Sequence, residues 1–185
     1  MTAEEERHTI SVLVDNEPGV LARVIGLFSG RGYNIDSLTV AEVDETNGLS
    51  RINIVTRGTA LVIEQIKALL AKLVPVHHVV DLTMGGAYVE RELALIKVTG
   101  DREKLVQALR IADFMHARLV DSTTESFVFE ITGASNQIDS FIHLMEPLGL
   151  AEVSRAGVVA IARGPEGLKP VGDAEAEDAK LAVGS

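Results

Sequence analysis

The strongest constraint on the fold is an order of elements that occurs twice along the chain. Between residues 10 and 82, apolar residues recur at the spacings of strand, helix, strand, strand, helix and strand. The same order returns between residues 92 and 162. A β-α-β-β-α-β unit is typical of the ferredoxin-like arrangement, in which two helices cover one face of a four-stranded antiparallel sheet. The sequence therefore predicts an α+β protein with two tandem ferredoxin-like domains.

This duplication divides the chain into four segments. A charged lead-in over residues 1–7 precedes a first domain at 8–83, and a second domain follows at 89–163. Residues 164–185 are rich in Gly, Pro, Ala and acids, and we expect an acidic, disordered tail. Because the helices cover only one face of each sheet, we expect a partner subunit to cover the other face.

The segment between the first two strands carries most of the functional information. Its apolar stripe predicts a helix over residues 20–29. Pro18 suits the first turn of this helix, and Asn16 or Glu17 can act as the capping acceptor. The amides at the start of such a helix favour a negatively charged group, either a phosphate or a carboxylate.

The glycines of this segment argue against the phosphate. Gly26, Gly30 and Gly32 lie towards the end of the predicted helix, whereas phosphate-binding motifs place their glycines before it. No lysine follows in the spacing of a P-loop. We expect Gly30 and Gly32 to end the helix and to permit a turn with positive φ.

Asn16, Gly19 and Asn34 leave two interpretations open. We expect Gly19 in the first helical turn and Asn34 at the start of the next strand. The three residues can serve as a cap, a tight turn and a residue in the left-handed conformation. Alternatively, Gly19 allows a ligand to approach the backbone closely, so that the helix-start amides bind a carboxylate and asparagine oxygens bind an ammonium. That ligand would be a small amphoteric molecule.

Composition excludes several classes of function. A net charge of −10 argues against nucleic acid as a partner, and no apolar run reaches the roughly 18 residues that cross a membrane. The acidic N-terminus does not resemble a secretory signal. The absence of cysteine removes thiolate metal sites and is compatible with the cytoplasm. The five histidines show no metal-ligand spacing, and no motif pairs a nucleophile with a base, so we expect neither a metal site nor catalytic residues.

Longer motifs identify a family. The stretch HTISVLVDNEPGVLARVIGLFSGRGYNIDSLTVAEVDETNGLSRINIVT resembles the ACT domain of the small, regulatory subunit of acetolactate synthase, also called acetohydroxyacid synthase. Its part RVIGLFSGRGYNIDSLTV is similar to a signature of that family. In the second half, VERELALIKV and SRAGVVAIARG resemble the two ends of the family's second domain. The resemblance covers residues 8–164.

The resemblance implies a subunit without catalysis of its own. It implies a separate large catalytic subunit, which holds thiamine diphosphate, magnesium and FAD, and a cytoplasmic role in valine, leucine and isoleucine biosynthesis. The small subunit would activate that enzyme and confer feedback inhibition by valine. In dimers of ACT domains the effector lies between protomers, which implies contacts from Asn16, Glu17, Pro18, Gly19, Val20, Leu21, Asn34 and Ile35.

On this basis we expect valine to place its carboxylate on the amides of residues 17–19 and its ammonium at Asn16 or Asn34. Its side chain would enter an aliphatic pocket that includes Leu21 and Ile35. The alternative is a stand-alone ACT amino-acid sensor that regulates another enzyme. An enzyme of the ferredoxin-like fold is a further alternative.

Overall fold

The first sheet contains four antiparallel strands in the order β2-β3-β1-β4. In the computed structural model, which describes residues 5–168, these strands are β1 (Glu6–Asp15), β2 (Ser37–Asp44), β3 (Leu49–Gly58) and β4 (Val76–Asp81). Two helices, α1 (Val20–Arg31) and α2 (Ala60–Leu70), pack on one face of the sheet.

The core of this first unit is almost entirely aliphatic, as expected from a chain with 4% aromatic residues. Because strand side chains alternate between faces, every second residue of β1 and β3 points towards the helices. The buried cluster comprises Ile10, Val12, Val14, Val20, Val24, Phe28, Ile52, Ile54, Ile63, Ile66 and Leu70.

The second unit repeats the order. Its strands β5 (Tyr88–Thr99), β6 (Arg118–Ser122), β7 (Ser126–Gly133) and β8 (Leu150–Arg155) are arranged as β6-β7-β5-β8. Helices α3 (Arg102–Phe114) and α4 (Ser135–Met145) pack over Ala94, Ile96 and Val98 of β5. A short 3-10 helix, Glu146–Leu148, follows α4. The prediction of two tandem ferredoxin-like βαββαβ arrangements is therefore confirmed.

The last predicted strand is divided in two. The alternating pattern predicts one strand over residues 151–162, but β8 ends at Arg155 and a fifth strand, β9 (Val159–Ala162), also pairs with β5. The amide of Ala156 donates to the carbonyl of Leu93 at 2.8 Å, and the chain leaves strand geometry until Val159. Period-2 alternation continues across this break, so periodicity alone does not reveal it.

The described part of the chain forms two compact units. One unit comprises the described residues up to Val89 together with residues 160–168, and the other spans Glu90–Val159. The Ala160 carbonyl accepts from Arg51 Nη2 at 2.8 Å, which places this segment on the outer face of the first sheet. This part of the face therefore contacts a later segment of the chain itself, and coverage of the face by a partner subunit stays a prediction.

The predicted ends also differ from the structure. Strand β1 begins at Glu6, so the last residues of the predicted lead-in, 1–7, belong to the first sheet. Most of the predicted acidic tail, residues 169–185, lies outside the described part of the chain. Its disorder stays a prediction.

Candidate functional site

The loop between β1 and α1 contains Asn16, Glu17, Pro18 and Gly19, all of which are exposed. Its backbone is anchored at the start. The Asn16 amide donates to the carbonyl of Gly48 at 2.7 Å, and the Glu17 amide donates to the carbonyl of Asp15 at 3.0 Å. The loop therefore leaves the sheet along a defined path before the helix begins.

Gly19 is the N-cap of α1 and has φ 88° and ψ −6°. This left-handed conformation favours glycine, so the backbone by itself accounts for the residue. The glycine and Pro18 precede the helix, and their predicted place in its first turn is wrong. The side chains of Asn16 and Glu17 do not cap the helix, because the cap position is occupied by Gly19, which has no side-chain acceptor.

Two of the three backbone positions that we expected to bind an anion, Glu17 and Pro18, have no free amide. The Glu17 amide is already engaged with Asp15, and Pro18 has no N–H group. The Val20 amide makes only a long contact of 3.4 Å to the Glu17 carbonyl. The amides of Leu21 and Ala22 belong to the first helical turn and have no acceptor within the helix. These amides point out of the N-terminus of the helix, where the helix dipole places a partial positive charge.

The side chains that begin α1 divide between core and surface. Val20 is only 4% exposed and packs in the aliphatic core, so its side chain is not available to a ligand. Leu21 and Ile25 are each 37% exposed and form an apolar strip along the outside of α1. Glu17 pairs with Arg23 at 3.3 Å, so the carboxylate nearest the helix start is partly neutralised.

The second predicted half of the site lies in the turn that follows α1. Asn34 does not open the next strand, because β2 begins at Ser37. Its side-chain nitrogen donates to Asp36 Oδ1 at 2.6 Å, and its backbone carbonyl oxygen accepts from Thr56 Oγ1 at 2.6 Å. Arg57 also donates to Asp36, at 2.9 Å. Ile35, which lies between Asn34 and Asp36 in the sequence, is half-buried and packs against the core of the first unit.

Asp36 was missed by the sequence reasoning. It lies two residues after Asn34, and only the turn geometry shows that its carboxylate orients the amide group. Because the amide nitrogen is held by Asp36, the amide oxygen of Asn34 is directed away as an acceptor. This oxygen can accept from an ammonium group, while the Asp36 carboxylate beside it already pairs with Arg57.

The two halves lie at opposite ends of α1. The helix contains 12 residues, and a rise of about 1.5 Å per residue makes it about 18 Å long. The strand register also places the two halves at opposite ends of the sheet. Asp15 lies opposite Leu49 at one end of β3, whereas Ser37 lies opposite Val55 near the other end. One small amino acid cannot bridge this length within a single chain.

Two family models match the chain. One describes an AHAS small subunit-like ACT domain and covers residues 10–78, and the other describes the small subunit of acetolactate synthase and covers residues 91–164. The chain belongs to the acetolactate synthase small-subunit family.

Individual members of this family align with nearly their whole length. A probable acetolactate synthase small subunit from Archaeoglobus fulgidus is 45% identical over 85% of this chain and 98% of its own. An acetolactate synthase small subunit from Mycolicibacterium smegmatis is 41% identical over 87% and 94%, respectively. The crystal structure of an acetolactate synthase small subunit from Thermotoga maritima superposes with a TM-score of 0.77 at 39% identity, and the match covers 87% of this chain and 99% of that one.

Three of the five histidines of this family member pair with carboxylates: His8, His77 and His143, the last with Glu146 at 3.1 Å. His8 Nδ1 lies 2.8 Å from Asp81 Oδ2 in the interior of the first unit, where both side chains are almost fully buried. His77 Nε2 lies 2.6 Å from Asp15 Oδ1. Within residues 5–168, no three histidine or acidic side chains cluster as ligands for a metal ion.

A shallow cleft of about 380 Å³ lies between α2 and β4 of the ACT domain. Its charged groups already have partners, since Lys67 pairs with Glu64 at 2.7 Å and His77 pairs with Asp15. The cleft thus offers a ligand no unpaired lysine. In the part of the chain that the structure describes, no helix is long and apolar enough to cross a membrane.

Proposed function

We propose that this chain is the regulatory subunit of an acetolactate synthase in the cytoplasm. It binds and activates a catalytic large subunit, which uses thiamine diphosphate, magnesium and FAD, and it confers feedback inhibition by valine. Membership of the small-subunit family supports the pairing with a large subunit. The proposal assigns no cofactor and no catalytic residue to this chain itself.

The geometry of α1 is the observation that carries the proposed effector site. The helix-start amides bind an anion, and the Asn34–Asp36 turn binds a cation, but α1 separates them by about 18 Å. Two ACT domains related by a two-fold axis would bring the start of α1 from one protomer to the turn of the other. The site is then complete only in a homodimer, and each dimer has two copies of it.

In this site the valine carboxylate accepts hydrogen bonds from the amides of Leu21 and Ala22, at the positive end of the helix. This revises two of the expected donors at residues 17–19, because the Glu17 amide is engaged with Asp15 and Pro18 has no N–H group. The ammonium donates to the amide oxygen of Asn34 and to Asn16. The isopropyl group packs against Leu21 and Ile35, which are partly exposed in one chain.

An aliphatic pocket discriminates weakly, because one methylene changes binding by only about 1–3 kcal/mol. Leucine and isoleucine therefore bind the same site with lower affinity than valine. Since the ligand contacts two chains, its binding favours one relative orientation of the protomers. If the large subunit is activated only by the other orientation of the protomers, linkage makes valine an inhibitor.

Substitutions at the two halves of the site test this proposal. Gly19→Asp places a carboxylate where the ligand carboxylate binds, and Gly19→Asn is its uncharged isostere, also tolerated in the left-handed conformation. We expect calorimetry to show loss of valine binding with Gly19→Asp and retention of most binding with Gly19→Asn. Asn34→Ala removes the ammonium acceptor and should also abolish binding.

Activity assays with the large subunit complete the test. Gly19→Asp and Asn34→Ala should leave activation intact while removing inhibition by valine. If both variants remain fully sensitive to valine, the effector site is assigned wrongly. Failure of the wild-type chain to bind and activate a thiamine-diphosphate enzyme would instead favour the stand-alone sensor. Turnover of pyruvate by the chain alone would favour an enzyme.

A further inference from the structure

Strand β4 contains an irregularity directly beside the effector loop. Leu13 of β1 lies opposite His78, but its neighbour Val14 lies opposite Val76. His77 is thus the extra residue of a β-bulge. A bulge changes the direction of the side chain it carries, and such irregularities recur next to functional sites. Here the bulge aims the His77 ring at the end of β1.

The ring contacts the residue from which the loop departs. His77 Nε2 lies 2.6 Å from Asp15 Oδ1, and the Asp15 amide donates to the Pro75 carbonyl at 2.8 Å. Asp15 is therefore held by both its side chain and its backbone from the same short segment. Its own carbonyl accepts from the Glu17 amide at 3.0 Å, so the contact extends into the loop.

We propose that His77 is a positioning residue for amino-acid binding, which fixes the Asn16–Gly19 loop through the Asp15 carboxylate. The inference rests on the proposed function, because it assigns a role within the proposed effector site. It goes beyond that function by adding a residue that does not touch the ligand. His77 follows Pro75, more than 50 residues after the loop, so the sequence motif around Asn16 does not include it.

The energetics point to preorganisation of the loop and not to stability of the fold. The two side chains are 35% and 45% exposed, and a contact that water reaches contributes little to folding stability. A loop that is ordered before binding loses less entropy when the ligand arrives, so affinity is improved. The other charged groups near His77 are Lys67 and Glu64 of α2, which pair with each other at 2.7 Å.

The test compares His77→Leu with His77→Gln, with calorimetry of L-valine binding to the full chain as the readout. Leucine removes the contact, and we expect valine affinity to fall by about 5–10-fold. Glutamine places an amide donor near the position of Nε2 and should restore most of the affinity. His78→Leu is the matched control, because this neighbouring residue belongs to the same strand and faces Leu13. It should bind valine normally.

A double substitution separates the contact from other effects. If His77 acts through Asp15, then Asp15→Asn combined with His77→Leu should weaken binding no more than His77→Leu alone. Additive losses would overturn the proposal. Unchanged affinity in His77→Leu would also overturn it and would leave the proposed effector site intact.

A second readout keeps the inference testable if the wild-type chain does not bind valine, which would refute the proposed function. Hydrogen exchange of the amides of Asn16 and Glu17 reports directly on the order of the loop. These amides should exchange faster in His77→Leu than in wild type, and His77→Gln should restore their protection. Equal exchange rates in all three chains would show that His77 does not position the loop.

Discussion

At the scale of single residues, Arg155 has the most demanding environment. Its Nε and Nη2 donate to the two carboxylate oxygens of Glu92 at 2.5 and 2.8 Å, and its Nη1 donates to Asp139 at 2.6 Å. The hydrogen bonds to Glu92 are the main cause of a raised pKa of Arg155. The Glu92 side chain is only 6% exposed, whereas that of Asp139 is 61% exposed.

These two carboxylates should differ strongly in their contribution to stability. Glu92→Ala leaves the guanidinium without its buried partner, and removing one member of a buried pair costs about 3–5 kcal/mol. Because Arg155 is itself 35% exposed, water partly replaces the lost partner and we expect about 2–3 kcal/mol. Asp139→Ala should cost about 0–1 kcal/mol. Urea denaturation measures both, and equal losses would contradict the assignment of Glu92 as the dominant partner.

At the scale of elements, the glycines of α1 have two different roles. Gly32 is the C-cap with φ 70°, and the chain turns there into the Asn34 segment. Gly26 lies inside the helix, and a Cβ added to it would meet no other atom within 4 Å. Gly30, which we expected to end the helix, also lies within it.

Alanine at these positions should therefore change stability in opposite directions. Gly32→Ala forces an L-residue into the left-handed region and should destabilise the chain by about 1–2 kcal/mol. Gly26→Ala removes the cost of glycine in a helix interior and should stabilise by about 0.5–1 kcal/mol. Thermal unfolding monitored by circular dichroism distinguishes them. A destabilising Gly26→Ala would indicate a contact on α1 that a single chain does not show.

The β2–β3 hairpin makes a prediction about pH. Asp44 accepts from the side-chain nitrogen of Asn47 at 2.8 Å and from its backbone amide at 3.1 Å. These hydrogen bonds lower the pKa of Asp44. A lowered pKa contributes stability that is present above the carboxyl's unfolded value and is lost as pH falls through the folded value.

We therefore expect wild type to be more stable than Asp44→Asn at neutral pH, with the difference disappearing under acid. Denaturation of both chains from pH 7 down to about pH 2.5 measures this difference. Glu45→Gln changes the charge of the same turn and controls for net charge. A difference that is independent of pH would show that the Asp44–Asn47 bonds do not stabilise the charged form.

At the scale of the whole molecule, the length of α1 distinguishes a shared site from one within a single chain. The Gly19→Asp chain has a defective helix start and an intact Asn34, whereas the Asn34→Ala chain has the reverse. In a mixed dimer, one site combines the two intact halves and the other combines the two defects.

Mixing these two variants, neither of which should bind valine alone, should therefore restore valine binding. With random exchange of subunits, about half of the dimers are mixed and one site in each is intact, so about a quarter of all sites should recover. Calorimetry on the exchanged mixture, with each variant alone as the control, measures the fraction of sites that bind valine. A mixture that binds no more valine than its components would show that both halves belong to one chain or to different sites.

The sequence alone was sufficient for the order of the elements up to the last strand, for the α+β class and for the family. The alternation in β1 and the 3.6-residue stripe in α1 are local patterns, because each follows from which face of an element is buried. The motif around Asn16 and Asn34 likewise identified the two segments of the proposed site. Their binding of valine stays a prediction.

Only the tertiary structure decided the contacts between residues that are distant along the chain. Glu92 meets Arg155, Asp15 meets His77, and the outer face of the first sheet meets Ala160. Each contact depends on strand register, on a bulge or on the path of a returning segment, and packing of the whole sheet sets these features. Local patterns repeat every two or 3.6 residues and carry no information about which distant strand becomes a neighbour.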